Sequence, residues 1–285
     1  DNFSSHFLSA LLPERKGVFM TVSLDLRAIK ANARSLLRSG RARVLKLSAL
    51  YLAIDLVLNL IDAAVSYMIY SSGGFTVLSF SFVSILVRLI SIVLSTGFVR
   101  CCLGILRGEY MPYESLFDAF PFAGKVILLS IVEGLFIFLW SMLFVIPGII
   151  AAYRYSFAMM NLCDDPGIGV MEALRRSKQQ TDGNKGTLFL LTMSFLGWLL
   201  LAGAAVVLAD YLIFGDISLQ LETAATLSQA LLITLVDQGI ASLASVWITP
   251  YIQLSLCACY LAVTSSGGAP LESLPGSDPW DDTTF

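Results

Sequence analysis

One histidine, His6, serves the whole chain of 285 residues. Chemistry built on paired histidines is thereby excluded, the H-E-x-x-H zinc site included. No Cys/His set has zinc spacing, and no glycine-rich phosphate loop, nucleophile elbow or ligand-spaced group of carboxylates occurs. The sequence thus carries no catalytic signature, and neither an enzyme, a cofactor nor a metal is expected. Charge is also scarce, at 14% against roughly 25% in soluble domains. With 56% hydrophobic residues and a mean hydropathy of +0.78, a water-soluble globular chain is excluded. The most telling absence is regional. The chain has 18 Lys and Arg, and none follows Lys185.

Those cations mark an orientation. Only Arg88 and Arg154 sit well inside apolar runs; the others lie before the first run, or at or between the facing ends of the second and third and of the fourth and fifth. The intervening loops have none, which is the positive-inside pattern of a multi-pass membrane protein. The runs predict six spans, about 47–70, 76–106, 124–146, 148–162, 187–208 and 226–263. A span needs about 20 residues to cross about 30 Å of hydrocarbon. Pro147-Gly148 predicts a tight turn between spans three and four, and Thr249-Pro250 predicts a kink or break in the last. An even count puts both termini in the cytoplasm. The expected fold class is all-α: a polytopic helix bundle of three hairpins with short amphipathic surface helices. Residues 1–19 read as a leader, with no cleavable signal peptide because no uninterrupted apolar stretch precedes residue 20. Residues 265–285 read as a disordered acidic tail.

The hairpins repeat. Short mixed segments at Leu24–Arg38, Tyr113–Phe120 and Ile168–Gln180 each precede an apolar pair. In the first segment, within the basic stretch 20–46, Arg27, Lys30, Arg34, Arg38 and Arg41 are spaced 3, 4, 4 and 3, so they form one stripe of a helix. Leu26, Ile29, Leu36 and Leu37 lie mostly away from it. This pattern predicts an interfacial helix whose partners are anionic lipid headgroups. In the third segment, Asp165-Pro166 reads as an N-cap followed by Pro at the first helical position.

The order of several motifs resembles a known family. Pro147-Gly148-Ile149-Ile150 leads to Tyr153-Arg154-Tyr155-Ser156, then Asp165-Pro166 and Glu172-Ala173-Leu174-Arg175-Arg176-Ser177. Lys185-Gly186, Leu196-Gly197-Trp198 and Trp247-Ile248-Thr249-Pro250-Tyr251 follow. The set resembles the bacterial integral-membrane family called domain of unknown function 975. The resemblance implies a helical protein of the bacterial cytoplasmic membrane and transfers no activity. The segment from Ala209 to Glu222 departs from the family's pattern.

Charges inside the apolar runs carry the functional reading. Asp55, Asn59, Asp62 and Ser66 share one face of span one, and Ser84, Arg88, Ser91 and Ser95 share one face of span two. Glu133, Arg154 and Asp237 lie in later runs. A charge at the bilayer centre costs about 2.5–3.5 kcal/mol, so each must face inward, pair or line water. Two readings follow. In the structural one, Arg88 pairs with Asp55 or Asp62, and Arg154 with Glu133 or Asp237. In the functional one, an unpaired carboxylate lines a path for an ion or small solute. Transport or export is therefore one function, and a membrane-organising or assembly role with a membrane-protein partner is the other. No nucleic-acid partner is expected. The five Cys read as small packing residues.

The cation pattern makes a direct topological prediction. In a cysteine-free background, Ser72→Cys should react with an impermeant thiol reagent on intact cells, and Ser35→Cys only after permeabilisation. The reverse result would overturn the orientation.

Overall fold

The structure, a computed structural model, describes residues 26–38, 43–71, 77–214 and 227–265. The leader, the acidic tail beyond Ser265, Arg41, and residues 215–222 of the segment departing from the family's pattern lie outside the described residues. Everything regular among the described residues is helical, so the all-α expectation holds. The helices are α1 (Leu26–Arg38), α2 (Arg43–Ser71), α3 (Val77–Leu106), α4 (Ala123–Leu143) and α5 (Val145–Tyr155). Next come α6 (Ala158–Asp164), α7 (Val170–Gln180), α8 (Lys185–Phe214) and α9 (Leu227–Ser265). Two 3-10 turns, Tyr113–Phe117 and Phe120–Phe122, precede α4.

Five stretches are long and apolar enough to cross a membrane: Val44–Ile69, Phe82–Leu106, Tyr113–Leu143, Lys185–Ile213 and Leu231–Thr264. They fit a multi-pass membrane protein, because a helix satisfies its own backbone where water cannot. The fourth expected span is different. Instead of one helix over 148–162, the chain forms α5, of 11 residues, and α6, of 7 residues, with a turn at Ser156-Phe157 between them. Together they still run back along α4. At the start of α4, Lys125 Nζ donates to the carbonyls of Pro166, Gly167 and Ile168 at 2.6, 3.2 and 3.2 Å. The loop after α6 therefore lies level with the beginning of α4. The described long elements are thus five whole helices and one broken pair.

The break leaves backbone groups that the surface helix α7 satisfies. The Phe157 N–H donates to Ser177 Oγ at 3.1 Å, and Ser177 Oγ donates to the Arg154 carbonyl at 2.9 Å. Ser177 and Phe157 are fully buried. A second polar set ties four helices on the same side. Arg107, just past the end of α3, donates to Asp164 on α6 at 2.8 Å, and Tyr260 on α9 donates to the same carboxylate at 2.8 Å. Asn161 on α6 and Gln180 on α7 exchange hydrogen bonds at 2.8 and 2.9 Å. This end carries α1, α7 and the 3-10 turns, and is called the basic side below.

Packing is concentrated there. α9 lies against α1, α2, α3 and α8. The largest core joins Ile29, Ala33 and Leu37 of α1 to Leu47, Phe98, Phe195, Leu254 and Cys257. A smaller core holds Val126, Leu129, Leu162 and Leu174 beneath the second hairpin. All five cysteines are free and buried in this region. Away from the basic side, α4, α5 and α8 expose apolar side chains, Leu143, Phe144, Ile146, Leu200 and Leu212 among them. That is the surface a lipid bilayer would cover.

Two expectations about breakers need correction, and of the kink or break expected at Thr249-Pro250 the break does not occur. The turn between spans three and four falls at Phe144, which is extended (φ −161, ψ 152), and not at Pro147-Gly148. Pro147 sits in the first turn of α5, where its missing N–H costs nothing. α9 is not divided at Thr249-Pro250 but continues through Pro250. Proline withdraws the usual donor from the carbonyl four residues back, and Ser48 Oγ on α2 donates to that Val246 carbonyl at 3.3 Å. Asp165-Pro166 does not start the surface helix. Asp165 accepts from the Gly167 N–H at 3.1 Å in a turn, and α7 begins at Val170 with Gly169 as its N-cap.

Gly97 shows how tight the basic side is. A Cβ there would lie 1.8 Å from the carbonyl oxygen of Leu116. Gly97→Ala should destabilise the protein by at least about 2 kcal/mol, as overpacking does. Gly203→Ala, which meets open space, is the control and should cost nothing. Unfolding in mixed bicelles would measure both, and equal stabilities would contradict the packing.

Candidate functional site

The polar faces of α2 and α3 meet. Ser91 Oγ donates to Asp55 Oδ1 at 2.9 Å, and Asn59 Nδ2 donates to Asp55 Oδ2 at 3.1 Å. Nearer the hairpin's turn, Ser84 Oγ donates to Asp62 Oδ1 at 2.7 Å. Towards the basic side, Tyr51 stacks on Phe98 with ring centroids 5.3 Å apart. These pairs fix an antiparallel register, and each carboxylate receives hydroxyl bonds across the seam.

Arg88 does not join them. The register places it level with Leu58 and Asn59, the expected depth, but its side chain is exposed and has no ion-pair partner among the described residues. The pairing of Arg88 with Asp55 or Asp62 is therefore corrected. Rotation is the reason. At 3.6 residues per turn, Arg88 stands about 40° around α3 from Ser84 and about 60° from Ser91. The shorter serines occupy the seam, and the arginine flanks it.

Arg154 is corrected in depth. It closes α5 on the basic side, where its carbonyl receives Ser177 and also Thr181 Oγ1 at 3.2 Å. No ion pair joins it to Glu133, and its Nε is buried without a hydrogen-bond partner. Glu133 is half-buried on α4 and Asp237 half-buried on α9. The seven intramembrane candidates therefore do not form one cluster. Asp55, Asn59 and Asp62 line the α2–α3 seam, while Arg88 flanks it and Arg154 lies on the basic side.

The basic stripe has a second kind of site beside it. Ile29, Ala33 and Leu37 bury one face of α1 in the core, and Arg27 and Arg34 point outward. Of Arg38 only the backbone at the end of α1 is described. Lys30 reaches Ser194 Oγ on α8 and lies 5.2 Å over the Phe195 ring. Arg34 Nη2 donates to the Tyr251 hydroxyl on α9 at 3.3 Å. α1 thus straddles α8 and α9. Between them is a cleft of about 870 Å³, with Lys30 and Arg34 at one end and Ala202, Ala205 and Ala244 along its wall. Trp198 and Trp247, both more than half exposed, stand at its edge.

Some cations on the basic side meet carboxylates, and others, Lys30, Arg34 and Lys125 among them, have only neutral partners among the described residues. Arg100 meets Asp118, Arg107 meets Asp164, Arg175 and Arg176 meet Glu172, and Lys185 meets Asp182. The hydrogen bonds from Arg175 and Arg176 hold the Glu172 carboxyl below the usual carboxylate range. The residues at this cleft, Ser194, Trp198, Trp247 and Tyr251, escaped the reading of charge. Their signal was spacing: 198, 201, 202 and 205 share a face of α8, as 244, 247, 248 and 251 do of α9.

The model of a family described as protein of unknown function (DUF975) matches residues 142–267, which take in α5 to α9. Over that segment the resemblance drawn from the motifs is borne out. No curated protein and no solved structure matches the chain.

The α2–α3 seam should behave as a structural pair. Asp55→Ala and Ser91→Ala should show a coupling of about 0.5–2 kcal/mol in a double-mutant cycle. Arg88→Leu should change stability by less than about 0.5 kcal/mol, because it removes no bond. A large loss on Arg88→Leu would restore the ion-pair reading.

Proposed function

We propose that this is a non-enzymatic, membrane-organising protein, with both termini and the basic side in the bacterial cytoplasm. It holds lipid or a membrane-protein partner at the inner leaflet and passes no solute. One observation supports this over transport: Asp55 and Asp62, the carboxylates best placed for a path, take hydroxyl bonds inside their own hairpin. A carboxylate meant for a moving ion or proton needs to exchange its ligands with water or the solute. These are engaged by serines one helix away. The basic side, by contrast, is densely packed and carries cations with only neutral partners, which suits a stationary platform at an anionic surface.

Reconstitution decides between the readings. Liposomes containing the full chain should show no flux of protons, sodium, potassium or small organic solutes above protein-free liposomes. Protein-dependent flux that Asp55→Asn and Asp62→Asn both abolish would overturn the organising role and restore the path.

A further inference from the structure

We propose that the cleft beneath α1 is a binding site for one anionic phospholipid of the cytoplasmic leaflet, with its phosphate between Lys30 and Arg34 and an acyl chain along the alanine wall between α8 and α9. The proposal rests on the orientation and organising role above and names the ligand.

Four observations converge. The first is charge. Lys30 and Arg34 sit one turn apart on α1, both reach the cleft, and neither meets a carboxylate among the described residues. Two cations with neutral hydroxyl partners, Ser194 and Tyr251, form a donor set for a phosphate. The second is shape. The cleft's volume of about 870 Å³ falls in the range of roughly 300–1,000 Å³ that ligand pockets occupy. The third is length. From Ser194 beside Lys30 to Ala205 the wall of α8 rises roughly 16 Å at 1.5 Å per residue. That is about half of a hydrocarbon core of about 30 Å, the depth of a single leaflet.

The fourth is the wall itself. Small residues on facing membrane helices ordinarily let the backbones close up. Ala202, Ala205 and Ala244 instead face open space. A gap lined by methyl groups is suited to an apolar chain rather than water, since water needs polar partners. Trp198 and Trp247 stand at the edge, where amphipathic rings are favoured near headgroups. A free phosphate would use the cations and leave the apolar wall empty, so the lipid is the better occupant.

The test uses the tryptophans in the cleft. The full chain with Trp140→Phe and Trp280→Phe is reconstituted in phosphatidylcholine vesicles with a rising fraction of brominated-chain phosphatidylglycerol. Quenching of Trp198 and Trp247 should saturate early and show about a thirtyfold preference over brominated phosphatidylcholine, given roughly 1 kcal/mol for each of the two cations at the surface. Lys30→Gln with Arg34→Gln should reduce the preference to about one, and Lys30→Arg should retain it. Ala202→Leu with Ala205→Leu should fill the slot and weaken quenching by both lipids. Arg175→Gln, on a cation already paired elsewhere, should change nothing. Millimolar inorganic phosphate should not displace the lipid. Equal quenching by both lipids, or a preference that survives Lys30→Gln with Arg34→Gln, would overturn the proposal. Displacement by phosphate would assign the site to a free anion instead. Failure here with no solute flux leaves the organising role standing, whereas flux would remove that role whatever the lipid result.

Discussion

A broken helix in a membrane must find partners for the backbone groups it frees, and here one hydroxyl answers that constraint. Ser177 accepts from the Phe157 N–H and donates to the Arg154 carbonyl, so α7 is pinned under the turn between α5 and α6. Without such a partner the buried donor would carry a desolvation cost of about 1–3 kcal/mol. The pinning has consequences further along the chain. α7 leads into α8, and Tyr153 at the end of α5 meets Phe189 on α8 edge-on with centroids 5.8 Å apart. The position of α8, and so one wall of the cleft, depends on how the break between α5 and α6 is repaired.

The same rule, a partner for every polar group, is met differently in the two regions. In the α2–α3 seam it is met locally, by hydroxyls on the adjacent helix, and the helices gain a register. In α9 it is met by Ser48, which takes the carbonyl that Pro250 releases and so joins α2 to α9. On the basic side Arg100, Arg107, Arg175, Arg176 and Lys185 are neutralised by carboxylates. α1 departs from this rule, burying its apolar face while offering two cations that no described carboxylate meets. Excess positive charge is affordable at a surface where anionic headgroups are the counter-charge.

Much of the fold was legible because membrane helices announce themselves by length and apolarity. The long helices and the short elements before each hairpin could be read from runs and cation spacing. The facing of Asp62 with Ser84 and Asp55 with Ser91 follows from helical periodicity plus a short turn. Periodicity gives a face, however, and not its rotation relative to a neighbour. That is why Arg88 was placed at the right depth and given the wrong partner. Arg154 was misjudged because α5 and α6 are continuous in hydropathy. Their break depends on α7 reaching back 23 residues, from Ser177 to Arg154, which no local pattern records. Proline by itself does not mark where a helix ends. In the first turn of α5 it did not mark the boundary, and within α9 a hydroxyl from a helix far off in sequence supplied what the helix had lost.

The cleft is the least legible feature, because it is made of what α8 and α9 leave unfilled. Its alanines are the residues that would ordinarily bring two helices together. Two arrangements could therefore serve the same sequence: one closed on the alanines, and one held apart. α1 favours the second. Its buried Ile29, Ala33 and Leu37 belong to the core shared with Phe195 of α8 and Leu254 of α9, and Lys30 and Arg34 bridge to Ser194 and Tyr251 on those same helices. A helix anchored to both walls at one end fixes their spacing there. The basic stripe and the alanine wall, far apart in the chain, then act as one device: the stripe that would attract an anionic surface also keeps open the slot into which a member of that surface can fit.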